Sequence, residues 1–173
     1  NYANTAFAGV AYHEYGHHLV QSGGSGQGAY GEGMADVISS LIDDDPGLAY
    51  GFRRTCATPL RNADNNCQYS STSCSSCGSE AHACGNLLSG AFWGVRNAMR
   101  AAYPETYREL LSALALTSTL VHRGSSITPG IAVDLLTLDD DDGDIQNGTP
   151  HRAQICQGFN AHGLTCPDLA VGL

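Results

Sequence analysis

Tyr12-His13-Glu14-Tyr15-Gly16-His17-His18, and further on Gly31-Glu32-Gly33-Met34-Ala35-Asp36, decide how this chain folds. His13 and His17 stand four residues apart, and on a helix such residues share a face about one turn apart. Two imidazole nitrogens then converge on one point. Zinc suits such ligands: it binds imidazole nitrogen at about 2.0–2.1 Å and, in catalytic sites, keeps one position for water. Glu14, between the histidines, is placed to reach that water as a general base. An isolated H-E-x-x-H arises by chance in many helices, so the second stretch carries the specificity. Glu32 offers a carboxylate as third ligand at the start of a second helix, whose apolar run continues through Ile42. Asp36, one turn on, faces the same way and accepts the free N–H of a ligating histidine, which fixes its tautomer.

Working outward, residues 1 to about 20 read as the first helix, with Phe7, Val10, Ala11, Leu19 and Val20 as its apolar positions. A glycine- and serine-rich loop, 22–28, follows. Tyr30, just before the second helix, reads as packing, and His18 as solvent-facing. Asp43-Asp44-Asp45-Pro46-Gly47 stops the second helix, since Pro and Gly both oppose its continuation. That carboxylate triplet reads as a solvated helix end, with calcium as the alternative. Residues 53–85 are irregular and hold Cys56, Cys67, Cys74, Cys77 and Cys84. Cys74-x-x-Cys77 admits a zinc-knuckle or redox reading, but disulfides stapling a long surface loop are expected. A helix then runs to about Ala102, with Gly85, Ser89 and Gly90 small enough for close packing. Another spans 105–122, and Pro129 opens a short one. Asp139-Asp140-Asp141-Asp142-Gly143-Asp144 gathers carboxylates around a glycine. Asp139, Asp141, Asp142 and Asp144 suit a hard cation such as calcium, and a structural turn is the equal alternative. Thr149 and Pro150 read as N-cap and first position of the last helix, which Cys156 and Cys166 bracket.

The 173 residues fit a single domain, 1–173, and 42% apolar content supports a real core. A net charge of −9 argues against nucleic acid or anionic membrane as partners. No run reaches the 18 or so apolar residues that a membrane helix needs. Seven cysteines point to an oxidising, extracellular setting, and an odd number leaves at least one free or paired outside the chain. No leader is evident, so the chain reads as mature material or an excised region.

The pair HEYGHH and GEGMAD resembles the gluzincin zinc metallopeptidases, the thermolysin-like group, and within it the fungalysin branch. Met34 stands where that branch has Trp. The resemblance implies a secreted zinc metalloendopeptidase acting on protein or peptide substrates. Zinc would sit on His13, His17 and Glu32, with Glu14 as general base and Asp36 orienting a histidine. A stretch like 82–94, a histidine ahead of a Trp-bearing helix, delivers an active-site histidine in that group. His82 is thereby expected to brace the oxyanion, with His151 in reserve. The acidic segment and its N-G-T-P-H continuation also resemble bacterial members. The implied fold is mainly α: a zincin-like helical lobe of a metalloprotease catalytic domain, with a long disulfide-stapled irregular loop. The β-rich lobe that precedes the zinc helix in that group is absent here, so that lobe or a propeptide is the expected partner as a separate chain. Two rivals stand beside this reading: an aminopeptidase of the same chemistry, and a non-catalytic extracellular module that keeps a structural zinc.

Overall fold

The computed structural model describes residues 7–170. Among them the chain is mainly helical, in the order α1 (Ala8–Gly23), α2 (Gly28–Asp43), β1 (Gly47–Leu48), β2 (Arg61–Asn62), β3 (Tyr69–Ser70), β4 (Cys74–Ser75), α3 (Ala81–Ala102), α4 (Tyr107–Val121), α5 (Gly130–Asp139) and α6 (Arg152–Ala161). The part of the first predicted helix that falls on residues 1–6 lies outside the described residues. From Ala8 on, it forms as expected and stops at Gly24, whose φ of 85° is the left-handed conformation glycine adopts without a Cβ penalty.

α2 is the central element. From Gly33 to Leu41 every residue is buried, and the helix packs against α1, α3 and α4. Met34, Val37 and Leu41 share one core with Leu87, Leu88 and Phe92 of α3, and it also takes in Leu111, Leu135, Ile155 and Phe159. Burying each such side chain contributes about 1.5–3 kcal/mol, so this core is what fixes the helices relative to one another.

Two glycine contacts set how closely they approach. A Cβ on Gly16 would lie 2.6 Å from the Ala35 Cα, so α1 and α2 touch backbone to backbone. A Cβ on Gly33 would lie 2.8 Å from the Leu88 Cβ, and one on Gly85 would lie 2.9 Å from the Gly33 nitrogen. Thus α2 and α3 also meet without intervening side chains. Gly16 lies between the two histidines and Gly33 directly follows Glu32, so the closest helix contacts coincide with the turns that carry His13, His17 and Glu32. Gly90 does not share that role; it faces Asn65 and His162 instead.

α2 ends where the sequence says it should, but not at a solvated terminus. Asp44 takes the left-handed cap position with φ 55°. Its carboxylate receives the Arg96 fork, Nε to Oδ1 at 2.8 Å and Nη2 to Oδ2 at 2.7 Å, and the Tyr107 hydroxyl at 2.7 Å. Burial alone would raise the Asp44 pKa, but the Arg96 and Tyr107 hydrogen bonds outweigh it and hold it below the usual value.

The irregular region is stapled as expected. Cys67 pairs with Cys77, Cys74 with Cys84 and Cys156 with Cys166, which leaves Cys56 free and exposed. Cys74 and Cys77 therefore belong to different bridges, which excludes a zinc knuckle or a shared redox pair. The two-residue strands escaped the sequence reading because two residues carry no alternation. β1 pairs antiparallel with β2, Leu48 opposite Arg61, and that pairing brings Arg61 back to α2.

The last helix starts later than expected. His151 occupies its N-cap position, and the Thr149 hydroxyl donates to Asp139 Oδ2 at 2.6 Å instead of capping. Tyr30 is buried and stacks on His122 with centroids 4.1 Å apart, a packing role as expected.

Candidate metal centre

α1 and α2 cross at Gly16 and Ala35, which sets the His13–His17 face directly over the first turns of α2. The Nε2 atoms of His13 and His17 lie 3.1 Å apart. Glu32 Oε2 lies 3.3 Å from the first and 3.5 Å from the second. These three side chains form a group able to hold a metal ion.

The far side of each ring is tied to an oxygen. His13 Nδ1 lies 2.7 Å from Asp36 Oδ1, and this N–H donates to the carboxylate. His17 Nδ1 lies 2.9 Å from Gln27 Oε1. The Gln27 amide nitrogen donates to the His17 carbonyl at 3.2 Å, so its oxygen is the end that faces the ring. Both Nδ1 atoms are thereby donors and both Nε2 atoms carry lone pairs. Gln27 was not singled out in the sequence; it sits in a glycine-rich loop with no local sign of its role.

Three acceptors therefore face one point at mutual distances of 3.1, 3.3 and 3.5 Å. Acceptors this close repel one another unless a cation lies between them. A tetrahedron whose corners lie about 2.0–2.1 Å from its centre has edges of about 3.3–3.4 Å, so the separations suit zinc. Glu32 Oε2 is moreover buried with no hydrogen bond, although three imidazole nitrogens lie within 3.5 Å of it. Their approach directions miss hydrogen-bond geometry. A buried oxygen left in this way normally costs about 1–3 kcal/mol, a cost that a bound cation removes.

Asp36 is held from a second direction. Arg61 donates Nε to Oδ2 and Nη2 to Oδ1, both at 2.7 Å. Burial pushes the Asp36 pKa up, but the bonds from Arg61 and His13 outweigh burial and hold it below the ordinary carboxylate range. Burial likewise works against the Arg61 charge, and the Asp36 contact more than restores it. Arg61 also escaped the sequence reading, since 25 residues separate it from Asp36.

Glu14 is exposed, carries no ion pair among the described residues, and lines a 140 Å³ cavity with His13, Asp36, Arg61 and His82. His82 also reaches the centre. Its Nε2 lies 3.2 Å from Glu32 Oε2 and its Nδ1 2.7 Å from Glu80 Oε1. Glu80 caps α3, accepting from the His82 and Ala83 amides, so one carboxylate starts the helix and aims the ring. The hydrogen bond from the His82 ring, then those from backbone, lower the Glu80 pKa. His82 is not part of the metal-holding group, and its side chain is 47% exposed.

His151 lies elsewhere. It packs on Tyr103, at the end of α3 opposite His82, and donates from Nδ1 toward Asp139 Oδ1 at 2.6 Å. α3 has 22 residues, about 33 Å of helix at 1.5 Å per residue, so the structure does not bring His151 to this centre. In the acidic segment Asp139 is engaged by Thr149 and His151, while Asp142 and Asp144 accept backbone amides of their own turn. The carboxylates that do cluster are Asp140, Asp141 and Asp142.

Fold and site together define a mainly helical, disulfide-stapled protein with a two-histidine, one-carboxylate candidate metal centre. No protein-family model, curated protein or solved structure matches the chain. Three disulfides fit an oxidising environment, and no helix among the described residues is long and apolar enough to cross a membrane.

Proposed function

We propose that the chain is the zincin-like helical lobe of a zinc-dependent metallopeptidase of the gluzincin type, secreted and acting on peptide bonds. The observation that carries this reading is the convergence of His13 Nε2, His17 Nε2 and an unsatisfied Glu32 Oε2 at near-tetrahedral separations. An exposed Glu14 on the adjoining cavity adds to it. A zinc ion on these three residues would supply Lewis acidity, polarising a carbonyl and lowering the pKa of bound water to about 7.

The chain's own groups do the rest. Glu14, unpaired at the cavity, takes a proton from the attacking water and returns it to the departing amine, so water and peptide become carboxylate and amine. His82, its Nδ1–H held by Glu80, donates from Nε2 to the oxyanion in its imidazolium form, the form in which both ring nitrogens carry a proton. One such preorganised donor is typically worth about 2.7–4 kcal/mol. Asp36, braced by Arg61, and Gln27 keep both ligating rings in the tautomer that presents Nε2.

One observation favours a second reading. His82 Nε2 stands 3.2 Å from Glu32 Oε2, as close as a fourth ligand of a closed, structural zinc site would. Substitution separates the two. In the peptidase reading Glu14→Gln keeps one zinc per chain and loses hydrolysis of a quenched peptide by at least a thousandfold. Equal hydrolysis by wild type and variant would refute it.

A further inference from the structure

A second cavity, of 440 Å³, lies beside the metal centre, bounded by the starts of α2 and α3, the β3–β4 hairpin and residues 125–128. It begins one residue from two groups of the centre. Gly28 lines it and follows Gln27, which holds His17; Ala81 lines it and precedes His82. In a chain of net charge −9, its lining contains no acidic and no basic residue. The polar groups it does contain are hydroxyls: Ser70, Ser71, Ser79, Ser125, Ser126 and Thr128. Each offers one donor and two acceptor lone pairs. Tyr69 adds an aromatic surface, and the Cys74–Cys84 disulfide forms part of the wall, so the shape is braced before anything binds.

These features select an occupant. A cation would lose its hydration here beside two helix N-termini, and an anion would find no basic side chain to pair with. A purely apolar group would desolvate the hydroxyls for nothing. What fits is a neutral group that presents donors and acceptors on all sides. Size narrows the choice: a cavity of 440 Å³ is far larger than a glutamine side chain of about five heavy atoms needs and has room for an N-acetylhexosamine of about fifteen.

We propose that this cavity seats a monosaccharide carried by the substrate, so that the enzyme acts on O-glycosylated peptides close to the modified residue. This rests on the peptidase reading above and adds the substrate class to it. The sugar's hydroxyls exchange hydrogen bonds with the serine-lined walls, while its C–H face lies on Tyr69.

The test uses matched quenched peptides rich in Ser and Thr, with one O-linked N-acetylgalactosamine moved through the positions flanking the cleaved bond, and the sugar-free twin. The sugar is expected to raise kcat/KM at least tenfold at one position. Ser126→Arg and Thr128→Arg, each at an exposed position, are expected to cut that preference to less than twofold. Equal or slower cleavage of the glycopeptide at every position overturns the proposal, as does a preference that survives both arginines. If neither peptide is cleaved, the peptidase reading fails, and anisotropy of labelled peptides on the zinc-loaded chain decides this one separately. At least tenfold tighter binding of the glycopeptide supports it; equal binding overturns it.

Discussion

Arg61 grips Asp36 with a two-pronged fork, Nε on Oδ2 and Nη2 on Oδ1, each at 2.7 Å, while His13 Nδ1 approaches the same Oδ1 at 2.7 Å. The short β1–β2 pair is thereby fastened to α2 through one carboxylate that is only 1% exposed. A buried ion pair gives little net stability while intact, but breaking it leaves a lone buried charge at a cost of about 3–5 kcal/mol. Arg61→Leu is expected to lower stability by that amount and to weaken zinc binding about 10–100-fold, the usual range for such outer contacts. Arg61→Lys supplies a charge without the planar fork and should recover only part of both. Urea unfolding and zinc titration against a chelator read the two effects.

Gly16→Val tests the backbone contact between α1 and α2. Its Cβ would press into Ala35 Cα at 2.6 Å, and neither helix backbone can yield without moving His13, His17 or Glu32. Overpacking of this kind typically costs about 1–3 kcal/mol. Zinc affinity should fall further than stability does, because His13 and His17 flank the displaced turn. A variant that unfolds less readily than wild type and binds zinc as tightly would show that the helices do not meet as described.

How much of this was legible in the sequence depends on distance along the chain. Four-residue spacings put His13 with His17 on one helix face and Glu32 with Asp36 on another, and local periodicity displays such spacings; that the two faces meet was implied only by the resemblance to gluzincins. Arg61 and Gln27 act across 25 and 10 residues, and neither carries a local pattern. Glu80 escaped notice because glutamate is an unusual N-cap, although it stands only two residues from His82. The helices themselves were read nearly in place. The two-residue strands and the three ten-residue disulfide spans were not, because pairing partners cannot be deduced from cysteine spacing.

The disulfide pattern makes a direct prediction for mass spectrometry. Alkylation of the native chain should add one label, at Cys56, and full reduction should expose six more thiols. Replacing Cys74 and Cys84 together by Ser opens one bridge and should cost roughly 2–4 kcal/mol. Cys56→Ser should change stability by less than about 0.5 kcal/mol, as expected for an exposed side chain.

Acid sensitivity should trace in part to Asp44. Its folded pKa lies below its unfolded value of about 3.9, so the stability it contributes is fully present above that value. That stability is lost as pH falls through the folded pKa. Asp44→Asn should therefore lower stability at neutral pH and flatten its fall between about pH 5 and pH 2. Parallel curves for both proteins would remove Asp44 from the explanation.

The most direct measurement is a chelator-competition titration of zinc on the wild-type chain and on His13→Ala, His17→Ala, Glu32→Gln and His82→Ala. One zinc per chain is expected, with affinity falling at least a thousandfold for each of the first three substitutions and less than tenfold for His82→Ala. Full zinc affinity in Glu32→Gln, or a loss in His82→Ala as large as in His13→Ala, would contradict a three-ligand centre with one coordination position left for water.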